Sequence, residues 1–84
     1  MSKIIVVDDE LNMRLVLCAL LKKEGYELFA AADGQDALKI LKQEDVDVVV
    51  TDLKMPKLDG MGLLERMVDQ YSATPVIIMT AHGR

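Results

Sequence analysis

Residues 46–60 read Val46-Asp47-Val48-Val49-Val50-Thr51-Asp52-Leu53-Lys54-Met55-Pro56-Lys57-Leu58-Asp59-Gly60. An apolar run stops at one carboxylate, Asp52, and a proline and a glycine follow. Val48, Val49 and Val50 are β-branched, apolar toward both faces and too few for a helix, which is how a strand buried on both sides reads. Asp52 then stands where that strand leaves the core. Open α/β sheets bind ligands at the carboxyl ends of their strands, so Asp52 is a candidate chemical centre. The plainer alternative is a carboxylate that merely ends a strand.

Upstream, Lys3–Val7 is a second short β-branched run that stops at acids, Asp8-Asp9-Glu10. Asp9 and Glu10 suit the first turn of a helix, where negative charge meets free backbone N–H groups. For Glu10 capping accounts for the residue fully. A helix over 11–24 follows, with Met13, Val16, Leu17, Leu20 and Leu21 as its core face. A second apolar stripe, Leu11, Leu15 and Cys18, calls for a further neighbour. Lys22 and Lys23 favour the helix end, and Gly25 stops it. Residues 26–31 form a strand with the mixed pattern of an edge. Asp33-Gly34 turns into a helix over 35–43, with Ala37, Leu38 and Leu41 inward.

Downstream of Asp52, Pro56 ends strand pairing. A helix over 60–71 buries Leu63, Leu64, Met67 and Val68. Pro75 opens a fourth strand, Val76–Met79, which ends at Thr80. The alternation β-α-β-α-β-α-β implies an α/β fold with a parallel sheet and right-handed crossovers.

The chain has 84 residues, enough for one small domain. Its composition is 51% hydrophobic, which excludes disorder. No apolar run reaches the ~18 residues of a membrane helix, and the N-terminus lacks the plan of a signal peptide. A cytoplasmic protein with no membrane partner is expected. Net charge is −4 with no basic cluster, which disfavours direct nucleic-acid binding. Cys18 stands alone among apolar residues and reads as structural rather than nucleophilic.

If the first, third and fourth strands are neighbours, Asp8, Asp9, Asp52 and Thr80 converge at one end of the sheet. Two carboxylates ~4 Å apart repel by about 4 kcal/mol at an effective dielectric of ~20. A cation relieves this, and an all-oxygen set that leaves room for water suits Mg2+. Asp52 is then the nucleophile toward phosphorus, and the Thr80 hydroxyl a donor to a phosphoryl oxygen.

These residues resemble the receiver domain of bacterial two-component response regulators. The resemblance is carried by Asp8-Asp9 after the first strand, Asp52-Leu-Lys-Met-Pro56, Asp59-Gly60, and Pro75-Val-Ile-Ile-Met-Thr80-Ala81. It covers the whole chain, and the wording around Asp52 and Thr80 is most similar to receivers fused to enhancer-binding transcription activators. The resemblance implies that Asp8, Asp9 and Asp52 bind Mg2+ together with the backbone carbonyl of Lys54. It implies that Asp52 accepts phosphoryl from a sensor histidine kinase and that Thr80 is the switch hydroxyl. Pro56 and Gly60 shape the loop after the nucleophile. The implied fold is a flavodoxin-like parallel sheet with helices on both faces, five-stranded in the family in order 2-1-3-4-5.

Residues 1–84 read as a receiver truncated after the fourth strand, order 2-1-3-4, without the fifth strand, its lysine and aromatic residue, and the last two helices. In the family the final helix lies beside the first, which accounts for the Leu11/Leu15/Cys18 stripe. The expected function is a phosphoacceptor, not an enzyme, that controls transcription through an output domain outside this sequence. The alternative is a fragment that acts only as a binding or self-assembly module. Self-association through the uncovered fourth-strand edge, by edge pairing or strand exchange, or through the first helix is expected, or else instability of the chain on its own. An aspartyl-nucleophile phosphatase of the haloacid-dehalogenase type is disfavoured, because Lys54 stands where that family has a second Asp. A dinucleotide-binding domain is disfavoured because no Gly-x-Gly-x-x-Gly follows the first strand.

Overall fold

Each short β-branched run becomes a strand because the residues after it cannot extend it. The computed structural model describes residues 2–52, 60–71 and 73–79. The strands are β1 (Lys3–Val7), β2 (Glu27–Ala31), β3 (Val48–Asp52) and β4 (Val76–Met79); the helices are α1 (Leu11–Lys23), α2 (Gly34–Gln43) and α3 (Gly60–Gln70). All pairings are parallel, as expected from the alternation, and the order is β2-β1-β3-β4, as the resemblance to receiver domains implies. The chain steps one way from β1 to β2 and the other way from β2 to β3. Right-handed crossovers then place α1 on one face and α2 with α3 on the other.

The main core lies under α2 and α3. Ile5, Val7, Ala31 and Val49 from the sheet meet Ala37, Leu41, Leu63 and Met67. The opposite side chains of β1, Ile4 and Val6, are also buried, so the central strand is apolar on both faces. Full burial of a Leu or Ile side chain contributes about 1.5–3 kcal/mol, and this cluster is the chief source of stability.

Two helix faces differ from the sequence expectation. On α1, Val16 and Leu20 are 54% and 58% exposed, and no residue of the helix is fully buried. The helix rests a narrow stripe, Met13, Leu17 and Leu21, over β1 and β2. Val16 and Leu20 lie about 100° round the helix from their C-terminal neighbours in that stripe, beyond its reach. Leu11 and Leu15 are exposed as well, and Cys18 is half-buried. On α3, Leu63 and Met67 are buried at i, i+4 spacing, Leu64 is half-buried, and Val68 is 64% exposed.

Local chemistry sets the helix ends. The Asp36 N–H donates to Asp33 Oδ1 (2.9 Å), which makes Asp33 the N-cap of α2. Gly25 adopts φ 96° and donates its N–H to the Lys22 carbonyl (3.0 Å), closing α1. Glu10 occupies the N-cap position of α1, but its side chain makes no capping bond. Instead the Glu10 N–H donates to Asp8 Oδ1 (2.9 Å), an Asx-turn that leads into the helix, and the capping expected of the Glu10 side chain is not made. At the opposite end of the β1–β3 pair, the Lys3 N–H donates to Asp47 Oδ2 (2.7 Å) and the Asp47 N–H to the Lys3 carbonyl (2.8 Å).

Candidate metal centre

Asp52 is the last residue of β3 and is 4% exposed. The β1–β3 register pairs Val7 with Thr51, so the next residues along, Asp8 and Asp52, leave the sheet side by side. Asp8 is 3% exposed and Asp9 is exposed. Carboxylate oxygens of Asp8, Asp9 and Asp52 all lie within 4.8 Å of one another. The convergence expected of these three acids is therefore present.

Asp8 is held at three atoms. Its N–H donates to the Ala31 carbonyl at the end of β2 (3.1 Å). Its Oδ1 accepts from the Glu10 N–H, and its carbonyl accepts from Arg14 Nη1 (2.6 Å). Burial pushes the Asp8 carboxyl above the ordinary carboxylate range; the Glu10 N–H opposes this, and the charges of Asp52, Asp9 and Glu10 add to it. Thr51, fully buried, donates its hydroxyl to the Asp52 carbonyl (3.0 Å).

The donor set fits a hard divalent cation. It consists only of carboxylate oxygens, two buried and one at the mouth, and it is strained without positive charge. At the widest separation allowed by the cluster, a pair of charges repels by about 3.5 kcal/mol at an effective dielectric of ~20. Such a set suits Mg2+ with several retained waters.

Lys54 and Thr80 lie outside the described residues, as do Pro56, Asp59, Ala81 and His82. Gly60 opens α3 as expected. Burial pushes the Cys18 thiol upward, which agrees with a structural rather than a nucleophilic cysteine. Arg14 carries no signal in the sequence, because a charged residue on a helix reads as solvent-facing and only the turn geometry shows its bond to Asp8.

No helix among the described residues is long and apolar enough to cross a membrane. The sequence pattern of the response regulator receiver domain matches residues 4–84. Sporulation initiation phosphotransferase F of Bacillus subtilis is 44% identical over 98% of this chain and 66% of its own length. The DNA-binding transcriptional regulator NtrC of Proteus hauseri is 44% identical over 93% of this chain and 16% of its own length. The chain thus spans less than two thirds of the length of these curated relatives. Response regulator protein TrrA of Thermotoga maritima, solved in complex with Mg2+-BeF, is 34% identical with a TM-score of 0.85, over 100% of this chain and 75% of that one. A solved complex of histidine kinase ThkA with TrrA contains a chain of TM-score 0.91 and 34% identity, over 100% of this chain and 72% of that one.

Proposed function

Because the chain belongs to the response regulator receiver domain family, we propose that it accepts a phosphoryl group from a sensor histidine kinase on Asp52, with Asp8 and Asp9 holding Mg2+ beside it. The observation that carries this reading is the gathering of three carboxylates within 4.8 Å at the carboxyl end of a parallel sheet. The existence of TrrA in complexes with Mg2+-BeF and with a histidine kinase supports the cofactor and the partner.

In the proposed step a carboxylate oxygen of Asp52 forms a bond to phosphorus. The bond from phosphorus to the donor's imidazole nitrogen breaks, and the imidazole leaves with the electron pair and takes up a proton. Asp52 is left as an acyl phosphate. A bound Mg2+ supplies positive charge against the phosphoryl oxygens. Asp8 is suited to a fixed ligand position, because its backbone and one carboxylate oxygen are already bonded. Asp9 stands exposed at the mouth, where a cation enters. By the resemblance, the Lys54 carbonyl would add a ligand to the metal and the Thr80 hydroxyl would donate to the phosphoryl group.

The domain is read as a cytoplasmic signalling unit, not an enzyme, comprising residues 1–84 as the first four strands of a receiver. NtrC, a DNA-binding transcriptional regulator, supports transcription control as the output in the whole protein. One observation favours the second reading, a self-assembling module: Leu11, Leu15, Val16 and Leu20 on α1 and Ile77 on β4 are each more than half exposed.

The test is incubation with Mg2+ and a small phosphodonor such as acetyl phosphate, followed by intact mass. The expected result is a gain of one phosphoryl group, stable to acid, labile to base and absent in Asp52→Asn. No gain in the wild type, or an equal gain in Asp52→Asn, refutes the assignment.

A further inference from the structure

We propose that Arg14 is a positioning residue of the metal centre, acting through the peptide that joins Asp8 to Asp9. The inference rests on Asp8, Asp9 and Asp52 being the metal ligands. Arg14 lies in the first turn of α1 and is half-buried. Its Nη1 donates to the Asp8 carbonyl at 2.6 Å, a short charge-assisted bond. The Asp8 carbonyl and the Asp9 N–H belong to one planar unit. Holding the oxygen fixes that plane, and with it the direction in which the Asp9 Cα carries its carboxylate.

The two ligands differ in what else holds them. The Asp8 carboxylate receives the Glu10 N–H, and the Asp8 N–H is bonded to Ala31. Asp9 is exposed, so its aim depends on the backbone beneath it. Arg14 is itself built into α1, with its N–H donating to the Glu10 carbonyl (3.0 Å). The guanidinium therefore ties the acidic turn to the helix frame at the peptide between two ligands. Its cationic head is bonded to a backbone carbonyl, so its part in the site is to hold the peptide that joins the two ligands. Lysine offers a donor and a charge but not the planar fork of arginine, so it restores the function in part.

The experiment measures Mn2+ binding to metal-stripped protein by electron paramagnetic resonance of the free ion, at a temperature where circular dichroism shows every variant folded. It compares wild type, Arg14→Ala, Arg14→Lys and Leu17→Ala, the last loosening α1 without touching the turn. Outer-shell partners of metal ligands typically change affinity 10–100-fold. We expect Arg14→Ala to bind about tenfold more weakly, Arg14→Lys to fall between it and wild type, and Leu17→Ala to stay within about twofold of wild type. Wild-type affinity in Arg14→Ala overturns the proposal. Equal weakening in Leu17→Ala also overturns it, because the effect is then general loosening. If folded wild type binds no Mn2+, the metal reading falls and this inference falls with it. Should Arg14→Ala not fold, Arg14→Gln is measured in its place with the same expectation and the same refutation.

Discussion

Replacing Asp8 with asparagine separates the electrostatic cost of the acidic cluster from its use. The carboxylate oxygens of Asp8, Asp9 and Asp52 lie within 4.8 Å of one another, a distance at which two charges repel by about 3.5 kcal/mol at an effective dielectric of ~20. The interaction with Asp9 is weakened by solvent, since Asp9 is exposed. The interaction with Asp52 is weakened less, since both side chains are nearly covered. Asparagine keeps an oxygen to accept the Glu10 N–H but adds an amide that must be desolvated. A net gain of about 1–3 kcal/mol in the metal-free state follows from these opposing effects. For a domain of this size each kcal/mol moves the melting temperature by roughly 4–8 °C.

The assay is thermal unfolding by circular dichroism in chelator at pH 7, repeated in excess Mg2+. Wild type gains stability with Mg2+ in proportion to RT ln(1 + [L]/Kd), and Asp8→Asn does not. The pH dependence has a definite sign. Burial, with the charges of Asp52 and Asp9, raises the Asp8 pKa in the folded chain. The folded state therefore takes up this proton before the unfolded state does. The penalty is fully present above the folded pKa and is relieved as pH falls through it. The advantage of Asp8→Asn over wild type accordingly shrinks on acidification. An Asp8→Asn protein that is no more stable than wild type in chelator at pH 7 would show that the carboxylates are not in mutual repulsion.

Met67 and Val68 are adjacent on α3 but 1% and 64% exposed, so denaturant unfolding should show Met67→Ala costing about 2–5 kcal/mol and Val68→Ala under ~0.5 kcal/mol; similar costs would place the buried face of α3 elsewhere. Sedimentation velocity at micromolar concentration should show concentration-dependent association through the exposed apolar side chains of α1 and β4. A well-behaved monomer over that range refutes self-association.

The parallel sheet and most element boundaries were legible from the residues because β1 and β3 are short, β-branched and closed by acids, whereas the strand order followed only from the resemblance to receiver domains. Tertiary context confines those runs to one solution. The Asp8/Asp9/Asp52 convergence was legible for the same reason: strand ends are set by the last apolar residue, and parallel neighbours bring their ends together. The helix faces were less legible. A 3.6-residue pattern marks an apolar arc but does not say how much of it a neighbour covers. On α1 the arc is wider than the stripe that reaches β1 and β2, and Val16 and Leu20 fall outside it. Glu10 was misread because composition cannot distinguish a side chain that caps from one whose backbone N–H is itself received by Asp8. Arg14 left no periodic or compositional signal, since its role depends on one bond to a carbonyl.

The pairing of β1 with β3 has a direction. At its start, two hydrogen bonds between Lys3 and Asp47 fasten the strands. At its finish, Asp8 and Asp52 push against each other. The seam is thus fastened by a pair of hydrogen bonds at one end and carries like charges at the other, so metal-free protein is expected to exchange its amides faster toward the acidic end. Amide exchange graded along β1 and β3 reads that direction. The end that carries the like charges is the end where a bound cation would sit, so Mg2+ is expected to slow exchange there and to leave the amides of the core beneath α2 and α3 unchanged.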